Sequence, residues 1–473
     1  MSKKFASSVI ILVLVNVLVK FIWIFGVERG IQLQVGFENY GLYYSLFNFT
    51  AILSVIADGG LNNYVVNAVA QENQKHRETF WLKIILSGFY IFIAFVAGQV
   101  FGYPNSYFKL LFILSIYQML WSFLTYLRAF LKGNQLFKAE TFFSVFDKIL
   151  LILLFLPLLY IKNFIATDIY FFAEMQVLAV LFSLIACSIV IVKNKISIFS
   201  NLGFNPKLSL VKEIAPFALF TFLVLAYNKI DSVMLEKMLV NGQKESGIYA
   251  AAYRLLDASN LLPILFASLF LPVLSQNLLQ KNEIDRLVKL SFETLMSWSI
   301  ILCTACWFYR FDLMKLLYGV ESSEYLASIF GLLMFSSPLI GLYYIFSTLL
   351  TAQNKMNTLN LIAALGLALN ILLNIYFIPK YQAFGAAIAT LISLTFVGLA
   401  YLYLYYRNLK KAIQIQQILK IICLSAMLCL SGFGLKNFEI NWIISLGFFL
   451  ILALFYTFML RLVSVKSLIN LLK

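Results

Sequence analysis

Fourteen apolar stretches follow one another along this 473-residue chain, at roughly 9–27, 40–61, 80–102, 108–130, 143–161, 170–192, 211–231, 247–277, 291–309, 326–350, 358–378, 383–406, 415–435 and 441–463. Most are close to the ~20 residues an α-helix needs to cross the hydrocarbon core of a bilayer. At that depth no water satisfies the backbone, so its groups must bond internally. Runs this long and continuous do so as helices, since barrel strands are about half as long and alternate in polarity. The chain is therefore predicted to be an all-α integral membrane protein of about fourteen transmembrane helices. With 62% hydrophobic and 12% charged residues, against roughly 45–50% and 25% in soluble domains, it leaves no room for a soluble domain.

The connecting segments test that count, because a wrong number of spans would scramble their charges. Twenty-three of the 36 Lys and Arg residues fall on one side, Lys3, Lys4, Lys75, Arg77, Lys83, Arg128 and Lys289 among them. Nine fall on the other side, including Lys109, Arg310 and Lys436, and four lie within spans. Cytoplasmic segments carry the basic excess, which places both termini in the cytoplasm. The net charge of +15 is thus a matter of orientation. Nucleic acid is not expected as a partner, because no basic run exceeds a couple of residues and none would track a phosphate backbone.

Chemistry by side chain is sparse. The cysteines Cys187, Cys303, Cys306, Cys423 and Cys429 all lie in apolar stretches, and an odd number cannot fully pair. Cys303 and Cys306 share a helix face, but His76 is the only histidine, so neither a zinc site nor histidine catalysis is expected. No catalytic residue, metal or cofactor is predicted. No nucleotide-binding motif is present either, so any driving force the chain uses would be an ion gradient, the membrane potential or substrate supply. Lys3 and Lys4 before the apolar run resemble a signal peptide. No small-residue cleavage site follows and Lys20 interrupts the run, so it is read as the first span.

Tyr40-Gly41-Leu42-Tyr43 at the start of the second span and Ser246-Gly247-Ile248-Tyr249 at the start of the eighth lie about 206 positions apart. At that offset Gln71 matches Asn277 and Lys83 matches Lys289, each in the next basic loop. Gly133-Asn134-Gln135 likewise resembles Gln353-Asn354-Lys355. The chain reads as duplicated. Six spans separate the copies, an even number, so they run parallel about an axis along the membrane normal with a site expected between them. This gives an N-lobe over 1–200, a C-lobe over 201–410 and a C-terminal helix pair over 411–473, with the long loop 193–212 as linker.

A charge at bilayer depth costs at least ~2.5–3.5 kcal/mol on insertion scales, so it normally faces a cavity or a partner and becomes a functional candidate. Lys20 is such a charge, with Asn16 four residues before it on one helical face. Snorkelling to the interface is the bland alternative, opposed by a position more than two turns into the span. The eighth span carries Arg254, Asp257 and Asn260 at i,i+3 spacings. Arg254 and Asp257 form either a private ion pair or a cationic site held in check, and the planar fork of an arginine suits a phosphate. At the repeat offset Arg254 falls on Asn48, and Lys20 falls on Ala226, one turn from Lys229. The unusual polar groups thus gather on the first two helices of each half.

Asp58 before Gly59-Gly60, and the adjacent Asp147 and Lys148, read as structural features; Asp231, Glu174 and Glu293 read as acids near span ends. Pro263 and Pro272 each remove a backbone bond from the eighth span, which is expected to be kinked or broken, with a hinge for alternating access as the sharper reading.

Three stretches resemble a known family. They are Tyr40-Gly41-Leu42-Tyr43 through Asp58-Gly59-Gly60-Leu61; Lys229-Ile230-Asp231-Ser232-Val233-Met234-Leu235 with Gly247-Ile248-Tyr249-Ala250-Ala251-Ala252-Tyr253-Arg254-Leu255; and Asn370-Ile371-Leu372-Leu373-Asn374 through Ile378-Pro379-Lys380 and Gly385-Ala386-Ala387-Ile388-Ala389-Thr390. Over the first twelve spans the chain is similar to polysaccharide (Wzx-type) flippases of the multidrug/oligosaccharidyl-lipid/polysaccharide exporter superfamily, the third stretch being the most specific. The resemblance implies two six-helix lobes around a cationic cavity. It implies alternating access that moves an undecaprenyl-diphosphate-linked oligosaccharide between the leaflets of the bacterial inner membrane, by a monomer in contact with membrane lipids and polysaccharide assembly proteins. Lys20 and Arg254 would then grip the diphosphate, and Asn16, Asn48, Asp257 and Asn260 would line the sugar-facing cleft. The two extra helices resemble the lipid II flippase branch, but the first two spans lack the run of arginines that this branch implies, which speaks against a lipid II substrate. Two rivals remain. A cation-coupled drug exporter of the same superfamily prefers acidic cavity groups, and a membrane-embedded polymerase or ligase works on large outer loops, which this chain lacks.

Overall fold

The computed structural model describes residues 15–70, 79–161, 168–196, 198, 208–276, 281–353, 355–409, 413–438 and 440–462. Among them nearly every residue is helical and there are no strands. By backbone contacts the chain divides into two compact units, Met1–Gly247 and Ile248–Lys473. The first holds α1 (15–35) and α2 (37–58), which part at Gly36, where φ is 80° and ψ is 163°, a conformation that only glycine adopts without strain. There follow α3 (Leu61–Ala70), α4 (Thr79–Val100), α5 (Phe108–Gly133), α6 (Phe137–Phe143), α7 (Phe146–Tyr160), α8 (Ile169–Lys193) and α9 (Leu208–Met238). Helix α10 (Gly242–Ser259) begins in the first unit and continues into the second. The second adds α11 (Leu261–Gln276), α12 (Lys281–Phe308), α13 (Arg310–Tyr318), α14 (Glu324–Met334), α15 (Ser336–Ala352), α16 (356–381), α17 (383–409), α18 (Ile415–Lys436) and α19 (Trp442–Met459). Gln382, at φ 54°, separates α16 from α17.

Eleven helices among the described residues are long and apolar enough to cross a membrane. Two of them, Val15–Asp58 and Met356–Arg407, contain the breaks at Gly36 and Gln382. Dividing both, and taking α10 with α11 as one further crossing, gives a set consistent with the fourteen spans predicted. Half of the predicted linker 193–212 falls outside the described residues, and 208–212 belong to α9.

In the first unit α5 is the central rod. Its Leu124, Leu127, Phe130 and Leu131 bury against Val180, Cys187 and Ile191 of α8 and Leu61 and Val65 of α3. Lipid tails are as apolar as leucine, so these contacts gain little by transfer; close packing holds them. In the second unit α18 lies so close to α12 that a Cβ on Gly432 would come 2.3 Å from the Phe308 ring. Leu430, Phe433, Ile451 and Phe455 on α18 and α19 are exposed, as residues facing lipid should be.

Two expectations change. Lys83, grouped with the loop cations, lies inside α4 and is fully buried, and its repeat partner Lys289 lies inside α12. A loop position would leave Lys83 to water, but acceptors on α2 and α5 turn it inward. The eighth span is broken as expected, yet the break falls at Asn260, between α10 and α11. Pro263 occupies the first turn of α11, where a missing N–H costs nothing, and α11 runs on through Pro272.

Candidate functional site

The first unit gathers polar groups around Asn48. Its position on α2 is seven residues after Gly41, two turns along one face. Asn48 is buried; its Nδ2 donates to Ser232 Oγ at 2.7 Å, and its Oδ1 accepts from Lys229 Nζ at 2.9 Å. Lys229 and Ser232 sit at i,i+3 on α9, so a single asparagine spans both, and Ser232 Oγ donates back to the Lys229 carbonyl at 3.1 Å. The Phe47 ring lies 5.7 Å from Lys229 Nζ. The predicted pair Asn16 and Lys20 is placed differently. Asn16 Nδ2 donates to Ser144 Oγ at 2.9 Å, tying α1 to the junction of α6 and α7, while Lys20 is exposed.

A second cation in this unit is Lys148 of α7. Its Nζ stands 4.5 Å from the Trp23 ring, 3.4 Å from Tyr117 Oη and 3.5 Å from Asp147 Oδ2. Trp23 opens a π-helical stretch of α1, Trp23–Glu28, whose wider turn is a recurrent irregularity at functional positions. The third cation is Lys83. Its Nζ donates to the Ala57 carbonyl at 2.8 Å and to Ser122 Oγ, and stands 4.0 Å from Asp58 Oδ1. Asp58 therefore has a partner at the helix end where the sequence placed it.

In the second unit Arg254 of α10 is buried and its Nη1 donates to Tyr318 Oη at 3.2 Å. Asp257, one turn on, is exposed, and Asn260 is half-buried at the break. Farther along, Asn374 Nδ2 donates to Asn370 Oδ1 at 3.0 Å and Asn370 Nδ2 to Ser393 Oγ at 3.4 Å, with all three buried. Tyr249 and Thr390 pair their hydroxyls at 3.2 Å. All of these except Ser393 belong to the stretches that carry the family resemblance, though the sequence assigned them no role.

The structure thus joins Asn48 to Lys229 and Ser232, and Arg254 to Tyr318. Lys229 was visible as a charge within an apolar span. Tyr318, 64 positions from Arg254, gave no signal. Asn48 and Tyr318 are neutral, so each of these two bonds orients its cation without itself adding a negative charge. Among the described residues no group of three or more His, Cys, Asp or Glu could hold a metal ion.

A family model described as polysaccharide biosynthesis protein matches residues 3–278. No curated protein matches the chain. Among solved structures, the lipid II flippase MurJ in an inward closed conformation superposes with a TM-score of 0.72 at 17% identity, covering 97% of this chain and 100% of that one. A transporter of the MOP superfamily from Pyrococcus furiosus gives 0.62 at 14% identity over 86% and 97%. An inward-facing multidrug resistance MATE transporter of the same superfamily gives 0.59 at 13% identity over 82% and 95%. At these identities the likeness is one of fold.

Proposed function

The chain belongs to the polysaccharide biosynthesis protein family, and from that premise we propose that it is a flippase for an undecaprenyl-diphosphate-linked oligosaccharide. It carries this lipid from the inner to the outer leaflet of the bacterial cytoplasmic membrane by alternating access, with both termini in the cytoplasm. The observation that carries the reading is that cations lie within the spans with neutral groups orienting them: Arg254 beside Tyr318 and Lys229 beside Asn48. A diphosphate offers such cations several oxygens at once, whereas a cationic drug would be repelled.

In this reading Arg254 and Lys20 grip the diphosphate, and Lys229 joins them. Asn16, Asn48, Asp257 and Asn260 offer hydrogen bonds to the glycan. Pro263 and Pro272 let α11 swing about the break at Asn260. The functional division is two lobes, 1–200 and 201–410, with the pair 411–473 appended. The protein works as a monomer without cofactor, leaves its substrate chemically unchanged, and passes it to polysaccharide assembly proteins.

The test is the lipid pool of a strain lacking this gene. One undecaprenyl-diphosphate glycan should accumulate on the cytoplasmic leaflet, identified by mass spectrometry, and be cleared by the intact gene but not by Arg254→Ala at equal protein level. An unchanged lipid pool with altered sensitivity to cationic compounds would overturn the reading in favour of a drug exporter.

A further inference from the structure

Helices α15 and α17 meet in the second unit, and a small cavity lies between them near the end of α15. Phe346, Leu350 and Gln353 line it from one side, and Tyr401, Leu404 and Tyr405 from the other. It has room for one water-sized group. Tyr401 is fully buried, yet its Oη makes no hydrogen bond, and neither does the buried Oε1 of Gln353, the residue that caps α15. Two orphan oxygens on one cavity ask for a partner from outside the chain. Tyr405 follows Tyr401 by four residues, on the same face of α17, and brings a second phenol to the cavity. Aromatic rings surround the place: Phe346 and Tyr405 have centroids 5.0 Å apart, and Tyr343 and Tyr401 5.8 Å.

The first unit has no such arrangement at the segment that resembles this one. Gly133-Asn134-Gln135 carries glycine where Gln353-Asn354-Lys355 carries glutamine, and a Cβ on Gly133 would stand 2.7 Å from Val69 Cβ. There the corner is closed by packing. In the second unit it is opened around an amide.

Acceptor oxygens beside the negative faces of aromatic rings favour a hydrogen-bond donor that carries positive charge. A primary ammonium fits on every count, with three N–H donors, no acceptor and about the bulk of one water molecule. Water offers two donors and no charge for the rings to attract. A trimethylammonium has no donor and exceeds the space. A phosphate or carboxylate would meet the Gln353 oxygen, an acceptor like itself. The level of the cavity points to the source. Gln353 and Tyr401 lie close to the ends of α15 and α17, and Tyr403 and Tyr406 beside them are exposed, as tyrosines at the headgroup level of a bilayer are. Lys355, two residues past Gln353, stands at the same end for the phosphate that accompanies an ammonium in a phospholipid.

We propose that this cavity binds a primary ammonium group, supplied by the headgroup of an aminophospholipid such as phosphatidylethanolamine. The leaflet is the cytoplasmic one in the orientation proposed above. The site itself depends neither on that orientation nor on the lipid that is transported.

The test is native mass spectrometry of the full-length protein in detergent, titrated with dioleoyl lipids that differ only in methylation of the ammonium. Phosphatidylethanolamine should bind about tenfold more tightly than phosphatidylcholine, which lacks every N–H, because hydrogen bonds to charged groups are the strong ones. The monomethyl and dimethyl lipids should fall between them in order. This series needs no mutation, so the folding of a variant does not decide it. Equal binding of all four lipids overturns the proposal and leaves the cavity to water.

Two variants locate the site. Gln353→Leu and Tyr401→Phe each delete one unsatisfied oxygen, a change the fold tolerates, and the double variant should bind the four lipids alike. A full preference for phosphatidylethanolamine in a folded, monodisperse double variant overturns the assignment to this cavity. Free ethanolamine separates the two sources of the ammonium. Displacement of the lipid by millimolar ethanolamine supports the site and makes a soluble amine its occupant, whereas no displacement supports the lipid.

Discussion

Replacing Lys83 by methionine removes a charge from α4 while keeping the length of the side chain. In the folded chain its Nζ donates to Ala57 O at 2.8 Å and to Ser122 Oγ, stands 4.0 Å from Asp58 Oδ1, and lies 5.6 and 5.8 Å from the rings of Phe123 and Tyr126. Two effects oppose each other. Removing an ammonium that is 0% exposed relieves a large desolvation cost, and methionine adapts well to an aromatic pocket. Against this, Asp58, the Ala57 carbonyl and Ser122 lose their common partner. Breaking a buried pair from one side costs ~3–5 kcal/mol. Asp58 is 22% exposed, so water recovers part of that loss, and the net expectation falls to about 2–3 kcal/mol of destabilisation. Adding Asp58→Asn removes the stranded carboxylate and should restore at least half of the loss. A double-mutant cycle by sodium dodecyl sulfate titration of the purified protein in mixed micelles measures both numbers. The reasoning fails if Lys83→Met lies within about 0.5 kcal/mol of the parent, or if Asp58→Asn worsens it.

Tyr318→Phe removes the acceptor of Arg254 Nη1. Hydrogen bonds to charged groups are worth ~1.5–3 kcal/mol, and at 3.2 Å the lower end applies; a lower Tm in detergent, and a smaller effect of Tyr318→Phe in an Arg254→Leu background than in the parent, checks it. Gly432→Ala drives a methyl group into the Phe308 ring and should cost ~1–3 kcal/mol by overpacking, with Phe308→Leu restoring part of the lost Tm. Asn48→Leu leaves Lys229 and Ser232 without their shared partner. It should reduce clearance of the accumulated lipid-linked glycan about tenfold at equal protein level, and full clearance would separate this network from transport.

Lipid made most of the fold legible, because a bilayer turns each crossing into a long apolar run that single-residue reasoning detects. The ends were less visible. The first apolar run stops near residue 27, yet α1 continues to 35 with Arg29, Gln32 and Gln34 on it, since a helix extending past the hydrocarbon looks polar and therefore loop-like. Only the backbone shows that Gly36 is the true corner. Lys83 was hidden for another reason. Its partners come from α2 and α5, 26 and 39 positions away, and nothing local distinguishes a lysine that turns inward from one that snorkels. Tyr318 is the same case in the second unit.

The repeated motif explains why the candidate site was half readable. The backbone device survives in both copies, since Gly41 and Gly247 still meet as equivalents, and a four-residue motif sufficed to find it. The chemistry seven residues on has diverged. In the second copy the cation is Arg254 itself; in the first the equivalent position is Asn48, and a cation arrives from the neighbouring helix as Lys229, bound to Asn48 Oδ1. A reading by repeat offset therefore finds a cation opposite an amide and sees an asymmetry. In three dimensions each copy has a cation attached to that same position, through the residue's own side chain in one case and through a hydrogen bond in the other. Close backbone packing tolerates almost no change at a glycine, whereas a charge can migrate to an adjacent helix and still reach the same place.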